Sequence, residues 1–279
     1  MSSAGDETHS IRPPLPACFT SRASTGYPSN HVHDIFVFAA ACAAGAINAV
    51  AGGGTLVTFP TLVWLGVPSI SANATNTVAL WPGSMGSVWG YRRELRGVDP
   101  RVFALIVPSL VGGLAGAMLL DLTPTETFDR LVPFLILFAT LLFMAQEPLQ
   151  RRFDLAGAHA AGSHWRSWSM LFQFGVAVYG GYFGAGQGIL MLAALTLMGH
   201  TDIHRMNGVK ALLATAINGI AAIYFAFYTP VVWHDAAIMA VGATVGGIGG
   251  AGMARRIGRD NVRRIVLIIG FGSALSLMF

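Results

Sequence analysis

Charge is what this chain has least of. Asp, Glu, Lys and Arg make up 11% of its 279 residues, against roughly 25% in a soluble globular domain. That deficit excludes an ordinary water-soluble fold. Its distribution is sharper still, because no Asp, Glu, Lys, Arg or His occurs from Ile35 to Tyr91, and only hydrocarbon-like surroundings suit such a stretch. Cysteine is almost missing too: Cys18 and Cys42 are too few for a disulfide framework. There is no CxxC, and His200 and His204 are the one close His pair in an ordered segment, so no metal site and no organic cofactor are expected. Hydrolytic signatures are absent, with no GxSxG, no HExxH and no acid pair inside an apolar run. Asp34, Asp99, Asp121, Asp202 and Asp235 all fall at the ends of apolar segments, which leaves no visible carboxylate proton relay.

What remains is hydrophobic: 54% of the residues. Apolar segments lie at about 35–51, 55–66, 73–91, 102–120, 131–146, 168–183, 188–199, 207–229, 235–254 and 262–279. At about 20 residues per crossing they imply an all-α, polytopic transmembrane bundle of about eight to ten membrane segments. Segments 55–66 and 188–199 are too short to cross: a dozen residues reach roughly 18 Å, against ~30 Å of hydrocarbon. They read as half-helices following Gly-rich breaks. Residues 1–33, rich in Ser, Pro and Thr, read as a disordered tail and lack the pattern of a cleavable signal peptide.

Sliding the chain on itself by 134 positions superimposes Gly54 on Gly188, Asn73 on Asn207, and Gly112, Gly113 and Gly116 on Gly246, Gly247 and Gly250. An internal duplication follows, with a first transmembrane repeat at 34–146, a cytoplasmic linker at 147–167 and a second repeat at 168–279. Sixteen of the 17 basic residues are Arg. Arg92, Arg93, Arg96 and Arg101, then Arg151, Arg152 and Arg166, then Arg255, Arg256, Arg259, Arg263 and Arg264 mark three cytoplasmic loops, while the acidic loops 123–129 and 229–235 face out. Segment 73–91 therefore starts outside and its counterpart 207–229 inside, the inverted-repeat arrangement of secondary transporters. The Arg-bearing loops account for the net charge of +4 without a nucleic-acid partner. The expected partners are the lipid bilayer and a small anionic substrate, with homo-oligomerisation left open.

The breaks read AGGGT (Ala51 to Thr55) and GAGQG (Gly184 to Gly188). Glycine there permits irregular backbone, and the first N–H groups of the following half-helix, with the helix dipole, favour an anion. Gly53, Gly54, Gly186 and Gly188 are the candidate backbone donors, and Thr55 and Gln187 the candidate side-chain donors; glycines that only permit close helix packing are the alternative. The next helix of each half opens on NATNT (Asn73 to Thr77) or NGVKA (Asn207 to Ala211). Asn73 and Asn76, like Asn207 and Lys210, are three apart and share a helix face, and register sets Asn76 against Lys210, the only lysine. A lone ammonium suits a small anion; an interfacial lysine snorkelling to headgroups is the alternative. The Gly112–Gly116 and Gly246–Gly250 sets read as close helix packing. Ser84, Ser87 and Asn218 read as interhelical hydrogen-bond partners.

The stretches GAINAVAGGGTLVTFPTLVWLG with SANATNTVAL, and YGGYFGAGQGILMLAALTLMG with HRMNGVKALLAT, resemble the two signature repeats of the TauE/SafE family of sulfite exporters, the toluene sulfonate uptake permease group. The resemblance covers about residues 35–279. The chain departs from the family pattern in its first break and in its long polar N-terminus. The resemblance implies a multi-pass protein of a bacterial inner membrane that moves sulfur-containing anions such as sulfite or sulfonates. The combined expectation is a permease or exporter that works by alternating access and holds the anion at paired half-helix N-termini. The alternatives are an anion channel, and a membrane-embedded enzyme or assembly factor without transport.

Overall fold

The computed structural model describes residues 31–50, 53–96, 98, 100–155, 165–197, 202–257 and 259–278. Apolar runs without the polar/apolar alternation of a strand form the helices here, and no strand occurs among the described residues. The first half contains α1 (His31–Val50), α2 (Thr55–Trp64), α3 (Ser69–Gly90), the single turn α4 (Arg92–Leu95), a 3-10 stretch at Pro100–Leu105, α5 (Ile106–Leu122) and α6 (Thr125–Leu155). The second contains α7 (Trp165–Tyr182), α8 (Gln187–Leu197), α9 (Ile203–Tyr228), α10 (Trp233–Ile257) and α11 (Arg259–Ser276). Four spans among the described residues are long and apolar enough to cross a membrane: His31–Asn48, Val102–Leu122, Thr125–Ala145 and Arg205–Tyr228. Their outward faces carry bare apolar side chains such as Phe36, Val107, Leu122, Phe134 and Phe227, as lipid contact requires.

The helix ends differ from expectation in instructive ways. Helix α1 begins at His31, inside the expected tail, so only 1–30 of that segment lies outside the described residues. Helix α6 continues to Leu155, well past the expected boundary at 146. Helices α3 and α9 start at Ser69 and Ile203, which puts Asn73 and Asn207 a full turn inside each helix. At that depth the backbone N–H is committed to the helix, and these residues have only their side chains to offer.

Helix α1 packs along α10 and α5 along α7; α3 crosses α9, α6 crosses α11, and α5 and α3 also touch α9 and α10. Exchanging α1 with α7, α2 with α8, α3 with α9, α5 with α10 and α6 with α11 turns these principal contacts into one another. Directions follow from the partners. Tyr91 and Leu95 lie against Gly208, and Trp81 against Gly219, so α3 and α9 are antiparallel. Arg263 donates to the Met144 carbonyl and Thr140 abuts Gly270, so α6 and α11 are antiparallel as well. Helices α1 and α10 run parallel, as do α5 and α7.

Small residues set the parallel contacts. A Cβ at Gly246 would stand 2.0 Å from the Cys42 carbonyl oxygen, and one at Gly116 would stand 2.1 Å from that of Val178. Both distances are impossible for a real carbon, so the backbones touch there, as the spacing of these glycines suggests. The half-helices lie inside. Leu56, Phe59 and Leu62 of α2, and Met191 and Leu195 of α8, are fully buried, because helix ends at membrane depth must be enclosed by protein.

Candidate functional site

Both breaks leave the right-handed region where glycine allows it: Gly53 has φ +93°, Gly184 +80° and Gly186 +78°. They meet on one turn of α6. A Cβ at Gly53 would lie 3.2 Å from the Phe143 ring, and one at Gly186 would lie 3.5 Å from Leu142 and 3.6 Å from Ala139. The ring of Phe59, in α2, meets that of Phe183, at the second break, edge to face at 5.3 Å. Asn73 donates from Nδ2 to the Tyr182 carbonyl at 3.0 Å, tying the first half to the start of the second break.

In the first half, Gly54 is buried and its N–H donates to Asn48 Oδ1 at 2.8 Å. One of the expected anion donors is therefore already engaged. Thr58 Oγ1 donates to the Gly54 carbonyl at 3.2 Å and to Asn76 Oδ1, so Asn76 stands beside the break, its side chain turned to α2. Thr55 is half-buried at the first position of α2. Asn73 is buried, and its Oδ1 has no hydrogen-bond partner among the described residues.

Around the second break the chemistry differs. Gln187 opens α8, and its N–H closes a turn onto the Gly184 carbonyl at 3.4 Å. Gln187 Nε2 donates to Asn218 Oδ1 at 2.9 Å, while Gln187 Oε1 is buried without a partner among the described residues. Tyr179 donates to the Ala185 carbonyl at 2.6 Å and fixes the loop between the glycines. The Lys210 stem runs across Gly188: a Cβ there would be 3.2 Å from Lys210 Cδ and 3.9 Å from Cε. Lys210 thus lies directly against Gly188, whereas Asn76 reaches Gly54 only through Thr58. Asn207 is half-buried one turn earlier on α9.

Asn218 makes the interhelical bond expected of it, but Ser84 and Ser87 do not: they donate back to Trp81 and Gly83 within α3. Asn48 and Thr58 escaped the sequence reading because Asn48 bonds across the glycine turn to Gly54 and Thr58 bonds to Asn76 on the next helix, links that no spacing announces. So did a cluster at the N-termini of α1 and α10, where His33 meets Asp235 at 3.1 Å and His234 meets Asp34 at 3.0 Å. His200 lies outside the described residues, as does the side chain of His204.

A chain whose described residues are helical apart from short turns, with membrane-length apolar spans, interior half-helices and two apposed glycine breaks, has the build of a multi-pass membrane protein. It belongs to the Sulfite exporter TauE/SafE family, whose profile matches residues 37–277. Among its relatives, "Probable membrane transporter protein ORF9" of a Sinorhizobium species is 26% identical over 87% of this chain and 91% of its own. "Probable membrane transporter protein" of Haemophilus influenzae is 27% identical over 84% and 90%. "Probable membrane transporter protein YfcA" of Escherichia coli K12 is 27% identical over 87% and 88%. No solved structure gives a significant match.

Proposed function

We propose that the protein is a carrier, rather than an enzyme, for a small sulfur oxyanion such as sulfite or an organosulfonate. It works by alternating access between two oppositely oriented repeats in a bacterial inner membrane. The anion reading is carried by one observation, the Lys210 stem lying across Gly188 in the first turn of α8. An ammonium beside the positive end of a helix dipole raises the local potential twice over, an arrangement that suits an anion bound between them. Gly53, Gly186 and Gly188 supply backbone around that point, Thr55 and Gln187 polar side chains. Asn73, Asn76 and Asn207 orient the ligand.

The antiparallel pairs α3/α9 and α6/α11 support the inverted-repeat reading. So does the bond from Trp81 Nε1 to the Thr215 carbonyl, whose partners are 134 positions apart. They occupy one register position in the two halves, and contact between register mates is what a two-fold axis between α3 and α9 requires. A carrier built this way moves one interlocked bundle, made of helices from both halves, against another around the breaks.

Binding by the purified protein in nanodiscs, measured calorimetrically with sulfite, sulfoacetate and taurine, tests the site. Wild type is expected to bind one of these saturably, and Lys210→Ala to weaken it roughly 10- to 100-fold, as loss of a charged hydrogen bond of about 1.5–3 kcal/mol implies. Lys210→Arg should recover part of the loss. Unchanged affinity in a monodisperse Lys210→Ala protein removes the lysine from the site; no binding of any of the three removes the substrate class.

A further inference from the structure

The first turns of α1 and α10 each carry a His-Asp pair, His33-Asp34 and His234-Asp235, and the parallel packing of these helices crosses them. His33 Nε2 lies 3.1 and 3.2 Å from the two oxygens of Asp235, and His234 Nε2 lies 3.0 Å from Asp34 Oδ1. Donor atoms of His33, Asp34 and Asp235 all fall within 4.8 Å of one another. Three groups from two helices, one imidazole and two carboxylates, therefore converge on one point, and His234 joins them at the rim through its contact with Asp34.

Charge makes that convergence informative. The Asp235 side chain is 3% exposed, and a carboxylate taken so far from water needs strong compensation. Helix α1 contains no lysine or arginine, and α10 has none before Arg255 near its far end. Asp34 and Asp235 together bring two carboxylates to this point, a pair that a bound dication would balance. The donor set is of the right kind, since imidazole with carboxylate suits zinc and its first-row neighbours. Spacing agrees: two donors at about 2.0–2.2 Å from an ion at a tetrahedral angle stand roughly 3.3–3.5 Å apart, a few tenths beyond the contacts seen. Access is open, because His234 is 57% exposed and Asp34 31% exposed while His33 and Asp235 lie deeper.

We propose that His33, Asp34, His234 and Asp235 bind one divalent transition-metal ion of the zinc class, which clamps the N-terminal ends of α1 and α10 together. The site is separate from the glycine breaks, and the proposal does not depend on the cargo.

The test uses the full-length chain with any affinity tag removed, stripped with a chelator and titrated with Zn²⁺ by calorimetry and with Co²⁺ by visible absorption. One ion per chain is expected, bound at micromolar Kd or tighter, with a Co²⁺ spectrum of low-symmetry, four-coordinate type. His33→Gln and Asp235→Asn should each weaken binding at least about tenfold. Saturating Zn²⁺ should raise the Tm of wild type by roughly 5 °C and leave that of His33→Gln/His234→Gln unmoved. Should Asp235→Asn fail to fold, His234→Gln, altered at an exposed position, carries the comparison. Wild-type binding only at millimolar Zn²⁺ overturns the proposal and leaves a pair of His–Asp hydrogen bonds. Stoichiometric binding kept by the double His variant overturns it also, by placing the ion elsewhere.

Discussion

Asn76 and Lys210 hold the same register position, yet one carries a neutral amide and the other a charge. The amide is held by Thr58, which also grips the Gly54 carbonyl, so the first break is fixed by hydrogen bonds while the second carries the cation. Loss of Asn48 exposes the difference. Asn48→Ala leaves the Gly54 N–H without its acceptor, at a cost of about 1 kcal/mol, so the Tm of the purified protein should fall by a few degrees and the transport rate should fall with it. Asn48→Asp keeps the acceptor and should restore the Tm; equal destabilisation by both variants would show that the bond contributes nothing. The sequence made Asn73, Asn76, Asn207 and Lys210 visible because polar groups stand out in apolar runs. It hid Asn48 and Thr58, whose partners lie across a glycine turn, and it hid the His33–Asp235 pair, whose members are 202 positions apart.

Helices α2 and α8 were legible from length alone, since runs of a dozen apolar residues after Gly-rich breaks have no other place in a membrane. Their neighbours' ends were less so. A turn of helix costs little beyond the apolar run, and the added turns from Ser69 and Ile203 mix polar with apolar residues, which blurs the starts of α3 and α9. The packing glycines give a controlled prediction. Gly116→Ala and Gly246→Ala force a carbon into a neighbouring carbonyl and should each destabilise by about 1–3 kcal/mol, seen as a Tm several degrees lower. Gly175→Ala and Gly272→Ala meet nothing within 4 Å and should be neutral or raise stability by up to about 1 kcal/mol through helix propensity. If all four behave alike, the parallel helix contacts are not where stability is decided.

The arrangement of the two halves yields a prediction about sidedness. Arg96 and Pro230 occupy one register position, after α4 and after α9, and both are exposed. In a background of Cys18→Ser and Cys42→Ser, Pro230→Cys should react with an impermeant maleimide added to intact cells, and Arg96→Cys only after the membrane is opened. Labelling of both from the same side would mean that the repeats are not inverted.

Carrier function is tested most directly by counterflow. Proteoliposomes loaded with unlabelled sulfite are given a trace of labelled sulfite outside, with and without a pH gradient and with taurine or sulfoacetate as competitors. An exchanging carrier that binds its anion at the glycine breaks should accumulate label transiently and saturably, and Lys210→Ala should lose most of that uptake. Absence of counterflow from protein that remains folded in the bilayer would contradict the account.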